Sequence, residues 1–201
     1  MASTNCTDTT NLIKHIQAYV SLTDTEITQL TAAIQVKTVK KKEYLVKTGN
    51  ICKDYYFVSQ GCLRMFFIKE NGTEQITQFA IENWWMTDHM SLLKQQQSPF
   101  YIQAIENTNV IILHSSTAEK LFKKIPALEK YFRIILQHAY AASQFRIKYL
   151  YDYSREELYT HFAAHFPDFL QRVPQYMLAS YLGFTPEYLS EIRKKLQNNP
   201  S

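Results

Sequence analysis

Apolar residues recur at helical spacing at both ends of this chain and at strand spacing in its middle. From about residue 11 to residue 34 they fall three or four positions apart, which predicts two amphipathic helices. Between these helices, Thr23-Asp-Thr-Glu26 has the composition of a capping box, in which a hydroxyl and a carboxylate each accept a backbone N–H. The second helix should therefore begin there.

The middle of the chain predicts β structure. Between Val36 and about His114, short runs rich in β-branched and aromatic residues alternate with turn signals. Among these signals, Asn71-Gly72 predicts a hairpin because both residues tolerate positive φ. The predicted strand runs are 44–46, 55–58, 62–68, 75–79 and 110–113. Several short strands at this spacing predict a small barrel or sandwich.

After Pro126 a single helix is predicted to run to about Tyr151, because this stretch contains no glycine or proline. Seven of its residues recur at alternating spacings of four and three, as in the seam of a coiled coil. They are Leu128, Phe132, Ile135, Ala139, Ala142, Arg146 and Tyr149. Such a stripe can pack on its own domain or on a second copy of the chain. The small Ala139 and Ala142 would let two identical helices approach closely, which favours a parallel homodimer.

The segment 175–196 has the pattern of two short helices that meet at a sharp turn. Ala179 lies where the helices would cross, and Gly183 lies where the turn needs a residue without a Cβ atom. The residues expected to face inward are Leu178, Leu182, Phe184, Leu189, Ile192 and Leu196. This pattern predicts a helix-turn-helix, although a small helical subdomain of another function can contain the same turn.

The second helix of this motif carries the signals of a helix start. Thr185 can accept a backbone N–H of the first turn, and Pro186 falls at the first helical position, where its missing N–H costs nothing. Glu187 lies near the positive end of the helix dipole. If the motif docks as other helix-turn-helix units do, the first turns of this helix enter the major groove of DNA.

The composition indicates an ordinary globular protein. At 201 residues the chain is long enough for two domains with their own cores. It has no long uncharged apolar run, and its first residues lack the basic and apolar regions of a signal peptide, so we expect a cytoplasmic protein with no membrane contact. Cys6, Cys52 and Cys62 are odd in number and widely separated, which argues against a disulfide framework.

The charge of the chain does not by itself identify a partner. A net charge of +4 is compatible with nucleic acid but too small to prove it. From Ser154 onward, five basic residues balance five acidic ones. Because phosphate contacts supply most non-specific affinity, one copy of this part should bind DNA weakly. Dimerisation or basic residues elsewhere would have to strengthen the binding.

With a β domain, a long helix and a terminal helix-turn-helix in that order, the chain resembles the Crp/Fnr family of bacterial transcription regulators over essentially its full length. Lys47-Thr-Gly-Asn50 resembles a turn of the family's β-roll, and the run from Tyr56 through Gly61 to Phe66 resembles its Tyr-x-(Ile/Val)-x-x-Gly-x-x-(Arg/Lys) hairpin. The resemblance implies double-stranded DNA as a partner, a homodimer and, in activators, contact with RNA polymerase.

The resemblance also implies an α+β fold in three parts. The first is a β-roll sensor domain, jelly-roll-like, over 1–125. The second is a long dimerisation helix over 126–152. The third is a winged-helix-like helix-turn-helix domain over 153–201.

The chain departs from the family where cyclic nucleotides bind. Members that bind them have Gly-Glu for the ribose and, further along, Arg-Ser or Arg-Thr for the phosphate. This chain has Asp88-His89 and Ser98 in those places. A buried phosphate without a guanidinium loses its strongest hydrogen bonds. We therefore expect no tight binding of cyclic AMP or cyclic GMP.

The chain also lacks the residues that would bind other effectors of the family. An iron-sulfur sensor needs four cysteine thiolates, which are clustered near the N-terminus in the family, and this chain has only Cys6 there, so we exclude that cofactor. A haem needs an axial ligand, and nothing marks His89, His114 or His138 as one. No cluster of cysteine and histidine has the spacing of a zinc site. No cofactor or metal is therefore expected.

What remains is an apolar or aromatic effector pocket. The segment that closes the family's ligand cavity is rich in aromatic residues, and the long helix carries two polar residues about where members contact a ligand base. The candidates are Trp84, Trp85, Asp88, His89, Ser98, Tyr101, Ser143 and Gln144. Alternatively, Phe100 and the other aromatic residues fill the vacated pocket as core. In that case the protein responds to a partner or to a modified conformation, or it binds DNA constitutively.

The reading surface of the last helix also departs from the family. Familiar members use an Arg-Glu pair in its first turn and another arginine about one turn later. This chain keeps Glu187, which can accept from a cytosine N4 amino group, but has Pro186 and Glu191 at the arginine positions. Arg193 and Lys194 can contact phosphates or complement the helix dipole. The candidate DNA contacts are Thr185, Glu187, Tyr188, Ser190, Glu191, Arg193 and Lys194.

Two functions of different class remain open. The first is a homodimeric transcription regulator that reads a palindromic operator with helix 185–196. The second is an effector- or protein-binding module of the same architecture with weak or no sequence-specific DNA binding, which the neutral charge after Ser154 and the acidic Glu191 favour. The sequence contains no nucleophile motif, carboxylate pair or phosphate loop, so we expect no enzyme.

Overall fold

The computed structural model describes the backbone of residues 2–198 and the side chains of residues 7–196. The helices are α1 (Ala2–Gln17), α2 (Asp24–Ala33), α3 (His89–Lys94), α4 (Ser115–Lys124), α5 (Pro126–Asp152), α6 (Arg155–His165), α7 (Pro167–Arg172), α8 (Gln175–Leu182) and α9 (Pro186–Asn198). The strands are β1 (Gln35–Val39), β2 (Tyr44–Val46), β3 (Asp54–Gln60), β4 (Leu63–Ile68), β5 (Glu74–Ala80), β6 (Trp85–Met86), β7 (Tyr101–Ala104) and β8 (Thr108–His114). The protein is therefore of mixed α+β class, as expected.

The chain divides into two compact units. The first runs to Phe67 and resumes over Gln78–His138. The second takes in the hairpin tip Ile68–Thr77 and the chain from Ala139 onward. The expected division at residues 125 and 152 differs from these units in two places, because α5 is shared between them and the hairpin tip belongs to the second. The three-part division stays a prediction.

The sandwich of the first unit consists of two antiparallel four-stranded sheets. Their strand orders are β1-β8-β3-β6 and β2-β7-β4-β5, so β5 lies at the end of its sheet. Side chains of both sheets meet in a core that includes Val58, Leu63, Met65, Ile102 and Val110, all of which are buried. Because side chains alternate along a strand, β3 can bury residues on both of its faces.

A second core lies between the other face of β3 and the helices of the first unit. Phe57 packs there with Leu12 and Ile16 of α1 and with Tyr131 of α5. The amphipathic pattern of the N-terminal residues is thus explained by packing on the sheet. The helices bury their apolar stripe, and the first of them begins earlier than the apolar pattern predicts.

Local signals in the sequence are confirmed where they depend on near neighbours. The predicted capping box is formed, with Thr23 and Glu26 each accepting a backbone N–H of the other. The hairpin at Asn71-Gly72 is also formed, closed by Lys69 N–H to Thr73 C=O at 2.9 Å. Among these turn residues, only Gly72 has positive φ, at 82°, which fits a longer turn that ends in a left-handed glycine.

Three features of the helical segments differ from the sequence prediction. The residues after Pro167 form the short helix α7, which the sequence pattern did not predict; proline is well placed at the start of a helix. The helix α4 was not predicted. Among the described residues no strand follows β8, so the expected winged character is not seen in this all-helical part of the chain. Also within the described range, no helix has both the length and the apolar character to cross a membrane.

The predicted coiled-coil stripe of α5 instead contacts its own chain at several points. Leu128 and Phe132 are buried in the core of the first unit, and Ile135 packs against it. In the second unit, Arg146 is hydrogen-bonded and Tyr149 packs against the helical core. Ala139 and Ala142 are exposed. Five of the seven positions of the stripe are thus used within the chain, and its assignment to a dimer seam stays a prediction.

Candidate nucleic-acid interface

The turn between α8 and α9 has the geometry of a helix-turn-helix. Gly183 adopts φ 80°, the left-handed conformation that a residue without a Cβ atom enters without strain. Its N–H and that of Phe184 return to carbonyls of the last turn of α8, with Phe184 N to Ala179 O at 2.8 Å. Hydrogen bonds of this kind satisfy carbonyl groups at the C-terminus of a helix. The predicted turn is confirmed.

Most of the predicted core of this motif is also confirmed. Leu178, Ala179, Leu182, Leu189 and Ile192 are buried and form one cluster with Leu158 and Tyr159 of α6. Phe184 packs against this cluster as a partly buried residue. Leu196 was expected to face inward but is 36% exposed, because it lies in the last turns of α9, beyond the cluster.

The first turn of α9 is capped as predicted. Tyr188 N–H donates to Thr185 Oγ1 at 3.2 Å, and Leu189 N–H donates to the Thr185 carbonyl at 3.1 Å. Pro186 is the first residue of the helix. The cap fixes where the helix starts, so it also fixes which residues face solvent.

The candidate DNA contacts in and just before α9 differ in exposure. Thr185, Glu187, Glu191 and Lys194 are exposed, whereas Tyr188, Ser190 and Arg193 are half-buried. The Tyr188 ring packs edge-on against Phe184 and lies 5.1 Å from the Arg155 guanidinium carbon, so it is held in place by neighbours.

A shallow hollow beside this face holds positive charge. It is lined by Gln175, Ser190, Arg193 and Lys194. Gln175 starts α8, whose first turn has no side-chain cap, so backbone N–H groups are available there. A helix N-terminus with two adjacent cations can accept an anion such as a phosphate. Sequence reasoning missed Gln175, and the uncapped Val173-Pro174 start of the helix was the signal that could have indicated it.

Lys195, the cation that follows Lys194 on α9, forms an ion pair within the domain. Its Nζ lies 2.7 Å from Glu156 Oε1 of α6. The hydrogen bond from Lys195 to Glu156 raises the pKa of Lys195, so the ammonium stays charged. This exposed pair therefore joins α9 to α6 more than it serves an outside anion.

Two candidates for the effector pocket are bonded to each other. Ser98 Oγ donates to Asp88 Oδ2 at 2.7 Å, and both side chains are buried. The other carboxylate oxygen, Oδ1, accepts the N–H groups of Met90 and Ser91 and so caps α3. Asp88, which stands where the family has the glycine of Gly-Glu, and Ser98, which stands at the phosphate position, thus satisfy each other. Sequence reasoning named both residues but not the bond between them.

The other pocket candidates differ in their surroundings. Trp85 Nε1 donates to the Tyr131 hydroxyl at 2.8 Å, and its ring packs on Phe132. Tyr101 stacks on Phe66. Trp84 and His89 are exposed, as are Ser143 and Gln144 on the part of α5 in the second unit. The position of Trp85 agrees with the alternative in which aromatic residues fill the core.

The buried Tyr131 hydroxyl links three elements of the first unit. It accepts from Trp85 and lies 2.8 Å from Nδ1 of His15, to which it can donate when that histidine is neutral. Burial raises the pKa of Tyr131 and lowers the pKa of His15, so both groups are favoured in their neutral forms. Sequence reasoning did not identify this network.

The cysteines and the possible metal ligands are further candidates for a site. Cys52 and Cys62 are buried, and the side chain of Cys6 lies outside the described residues. Across the side chains that the structure describes, no three histidine, cysteine, aspartate or glutamate residues come together in a group that could hold a metal ion.

Comparisons with known sequences agree with this architecture. Residues 36–124 match the family model of the cyclic nucleotide-binding domain. The chain is 25% identical over 191 residues to the anaerobic regulatory protein of Pasteurella multocida, covering 88% of this chain and 68% of that protein. It is 24% identical over 193 residues to the fumarate and nitrate reduction regulatory protein of Escherichia coli, covering 89% and 76%.

Solved structures share the fold. The c-di-GMP responsive global regulator CLP of Xanthomonas campestris matches with a TM-score of 0.70 at 14% identity, covering 88% of this chain and 92% of that one. FixK2 from Bradyrhizobium japonicum matches with a TM-score of 0.67 at 16% identity, covering 82% and 85%. These likenesses include most of both units.

Proposed function

Because the chain belongs to the Crp/Fnr family and is a transcription regulator, we propose that it acts in the cytoplasm as a homodimer that reads a palindromic operator with α9. The observation that carries this proposal is the exposed polar face of α9 beside the basic hollow at Gln175, Arg193 and Lys194. The face would read bases while the hollow would hold a phosphate, which are the two kinds of contact that specific DNA binding needs.

The operator should differ from one read by two arginines. Glu187 is exposed in the first turn of α9 and can accept from the N4 amino group of cytosine. Pro186 offers no side-chain hydrogen bond, and Glu191 is an exposed acid one turn later. We therefore expect the operator to have a cytosine at the base that Glu187 contacts. It should lack a guanine bound by the two hydrogen bonds of an arginine side chain.

A second copy of the chain should pack on an exposed apolar face of α5. Its large residues Leu136, Tyr140, Ile147 and Leu150 are each at least 46% exposed. With Ser143 they follow one another at spacings of four, three, four and three, which is the seam of a coiled coil. This face replaces the predicted stripe as the dimer seam, because most of the predicted stripe is occupied within the chain. Pairing would bring two copies of α9 to two half-sites.

Cyclic AMP should not be the effector. The bond between Asp88 and Ser98 supports this part of the proposal, because a cyclic nucleotide would have to displace it and would gain no guanidinium in return. We also propose that the chain holds no iron-sulfur cluster, because its three cysteines supply fewer thiolates than the four that such a cluster requires.

Two observations favour the interaction-module alternative. Basic and acidic residues balance after Ser154, and Glu191 projects from the reading helix. A module of this kind would bind an effector or a protein and would have little affinity for DNA.

Fluorescence anisotropy with labelled genomic fragments separates the two functions. The regulator is expected to bind some fragments selectively, with an affinity that falls steeply as salt rises, because cations displaced from phosphates drive binding. Absence of binding to every fragment at low salt would reject the regulator and support the module. Titration with cyclic AMP should show no micromolar binding.

A further inference from the structure

The tip of the β4–β5 hairpin is bonded to the first helix of the helix-turn-helix, within the second unit. Ser180 Oγ of α8 accepts from Ile76 N–H at 2.9 Å and donates to Glu74 C=O at 2.8 Å. The side-chain amide of Gln75 donates to the Ser180 carbonyl. The end strand of a sheet leaves backbone groups unpaired along its outer edge. Here one serine hydroxyl satisfies two such groups of β5.

A guanidinium from α5 joins the same elements. Arg146 Nη1 donates to the Thr77 carbonyl, and Nη2 donates to the Tyr181 carbonyl at 3.0 Å. The guanidinium carbon also lies 4.1 Å from the centroid of the Tyr181 ring. Tyr181 lies in the last turn of α8, where carbonyls lack partners within the helix. The hairpin joint is the name used below for the contacts among Glu74, Gln75, Ile76, Thr77, Arg146, Ser180 and Tyr181.

The hairpin joint leaves the reading face uncovered. Glu187, Glu191 and Lys194 are exposed while the joint is formed. The joint therefore does not block DNA by covering these side chains. Its position on α8 instead allows it to control the direction in which α9 points.

Packing transmits the position of α8 to α9. Ala179 and Leu189 are both fully buried in the core that the two helices share. A packed core of this kind moves as one body, since it does not deform continuously. Whatever holds α8 against the hairpin and α5 therefore also orients α9.

We propose that the hairpin joint positions the reading helix, so that Arg146 and Ser180 set the affinity and selectivity for the operator without touching DNA. Their hydrogen bonds to backbone groups are directional, and their loss would let α8 and α9 adopt several orientations. Only one of these orientations would match both half-sites. The inference rests on the proposed reading of DNA by α9.

The test uses the full chain and two variants of the hairpin joint. Ser180→Ala removes the hydroxyl, and Arg146→Met removes the guanidinium while keeping a long side chain. Lys148→Met is the control for charge, because Lys148 is exposed on the same helix and pairs with Asp152 of that helix. Thr160→Ala is the control for a hydroxyl, because Thr160 donates to the Glu156 carbonyl of its own helix.

Anisotropy is measured on a duplex of about 30 base pairs selected from wild-type genomic binding, which spans two half-sites, and on a scrambled duplex of equal length. We expect the Ser180→Ala and Arg146→Met variants to bind the selected duplex about tenfold more weakly, within the usual range of coupling between linked sites. Binding to the scrambled duplex should change less than about twofold, because non-specific binding depends on charge more than on orientation. The two controls should behave as the wild type does.

Hydrogen exchange distinguishes a released joint from a general loss of structure. Amides of residues 68–77 and of α8 should exchange faster in both variants. Thermal unfolding of the first unit, followed by tryptophan fluorescence, should be unchanged. Ser180→Thr keeps the hydroxyl and should restore binding. Equal losses on both duplexes, or no rescue by Ser180→Thr, would overturn the inference.

The proposed function and the inference fail in different ways. A wild-type chain without sequence-selective binding overturns the proposed function and the inference with it. A selective wild type beside variants of equal affinity and selectivity overturns the inference alone.

Discussion

The two units of the chain use their polar groups in different ways. In the first unit, buried polar side chains bond to one another, as Asp88 does with Ser98 and Tyr131 with Trp85. In the second unit, Glu187, Glu191 and Lys194 of α9 are exposed beside a basic hollow. The difference indicates that these buried polar groups of the first unit are already paired within the chain. The second unit keeps its groups available for an outside partner.

The closeness of packing in the first unit is tested by Gly61→Ala. Gly61 has φ 106°, and an added Cβ atom would lie 2.6 Å from Thr108 Cα. Strain and overlap together should lower the free energy of unfolding by about 3 kcal/mol. In the second unit, a Cβ atom added at Gly183 would meet no atom within 4 Å. Gly183→Ala should therefore lower the free energy of unfolding by only about 1 kcal/mol, because alanine disfavours the positive φ of this residue.

Chemical denaturation can follow the two glycine variants separately. Both tryptophans lie in the first unit, so their fluorescence reports that unit, while circular dichroism reports the helices of both. Equal losses for the two variants would show that the first unit is no more tightly packed than the second.

The open face of α5 is tested by Ile147→Asp. A carboxylate at this position would meet its twin in the paired helices, so the dissociation constant of the dimer should rise about a hundredfold. Operator affinity should fall with it, because both half-sites must be held. Analytical ultracentrifugation measures the first effect and anisotropy measures the second.

Ala142→Asp is the matched control for the seam. Ala142 belongs to the stripe predicted from the sequence but not to the exposed seam of Leu136, Tyr140, Ser143, Ile147 and Leu150. The Ala142→Asp variant should remain a dimer. A monomeric Ala142→Asp variant together with a dimeric Ile147→Asp variant would restore the original assignment.

The reading role of the second unit is tested by Glu187→Ala. Loss of the acceptor should remove about 1 to 3 kcal/mol of preference for one base pair and leave the other positions of the operator unchanged. Competition with duplexes that carry each of the four base pairs at that position measures the preference. Glu129→Ala, an exposed acid of α5 in the first unit, should leave every preference intact.

The smallest effect concerns pH and the first unit. Burial lowers the pKa of His15 in the folded protein, so the unfolded chain binds its proton more readily. Stability should therefore fall as pH drops through about 6.5, the ordinary pKa of histidine, and level off below the folded pKa. Denaturation of wild type and His15→Gln at a series of pH values isolates this residue. A wild-type slope identical to that of the variant would contradict the assignment.

Local structure could be predicted from the sequence, whereas long-range pairing could not. Thr23, Asn71-Gly72 and Gly183 act through neighbours only a few positions away, so their patterns were sufficient. The bond between Asp88 and Ser98 spans a helix and a loop, and sequence spacing does not fix such a contact. On α5 two stripes have coiled-coil spacing, and only the packing of Leu128 and Phe132 on the sheet shows which one is already occupied.

The departures on the reading helix were visible in the sequence, but their surroundings were not. Pro186 and Glu191 could be compared directly with the family pattern. The hollow at Gln175 and the hairpin joint at Arg146 bring together residues far apart in the chain. Arg146 was assigned to a dimer seam because its position fits the repeat, and its two carbonyl partners could be found only in the folded structure.

Genome-wide mapping of the DNA bound by the wild-type chain tests the central claim most directly. We expect a set of enriched sites that share a two-fold symmetric sequence, with half-site centres about one helical turn apart and a cytosine in each half-site. Binding without any shared sequence, or no enriched site at all, would contradict the claim that α9 reads an operator.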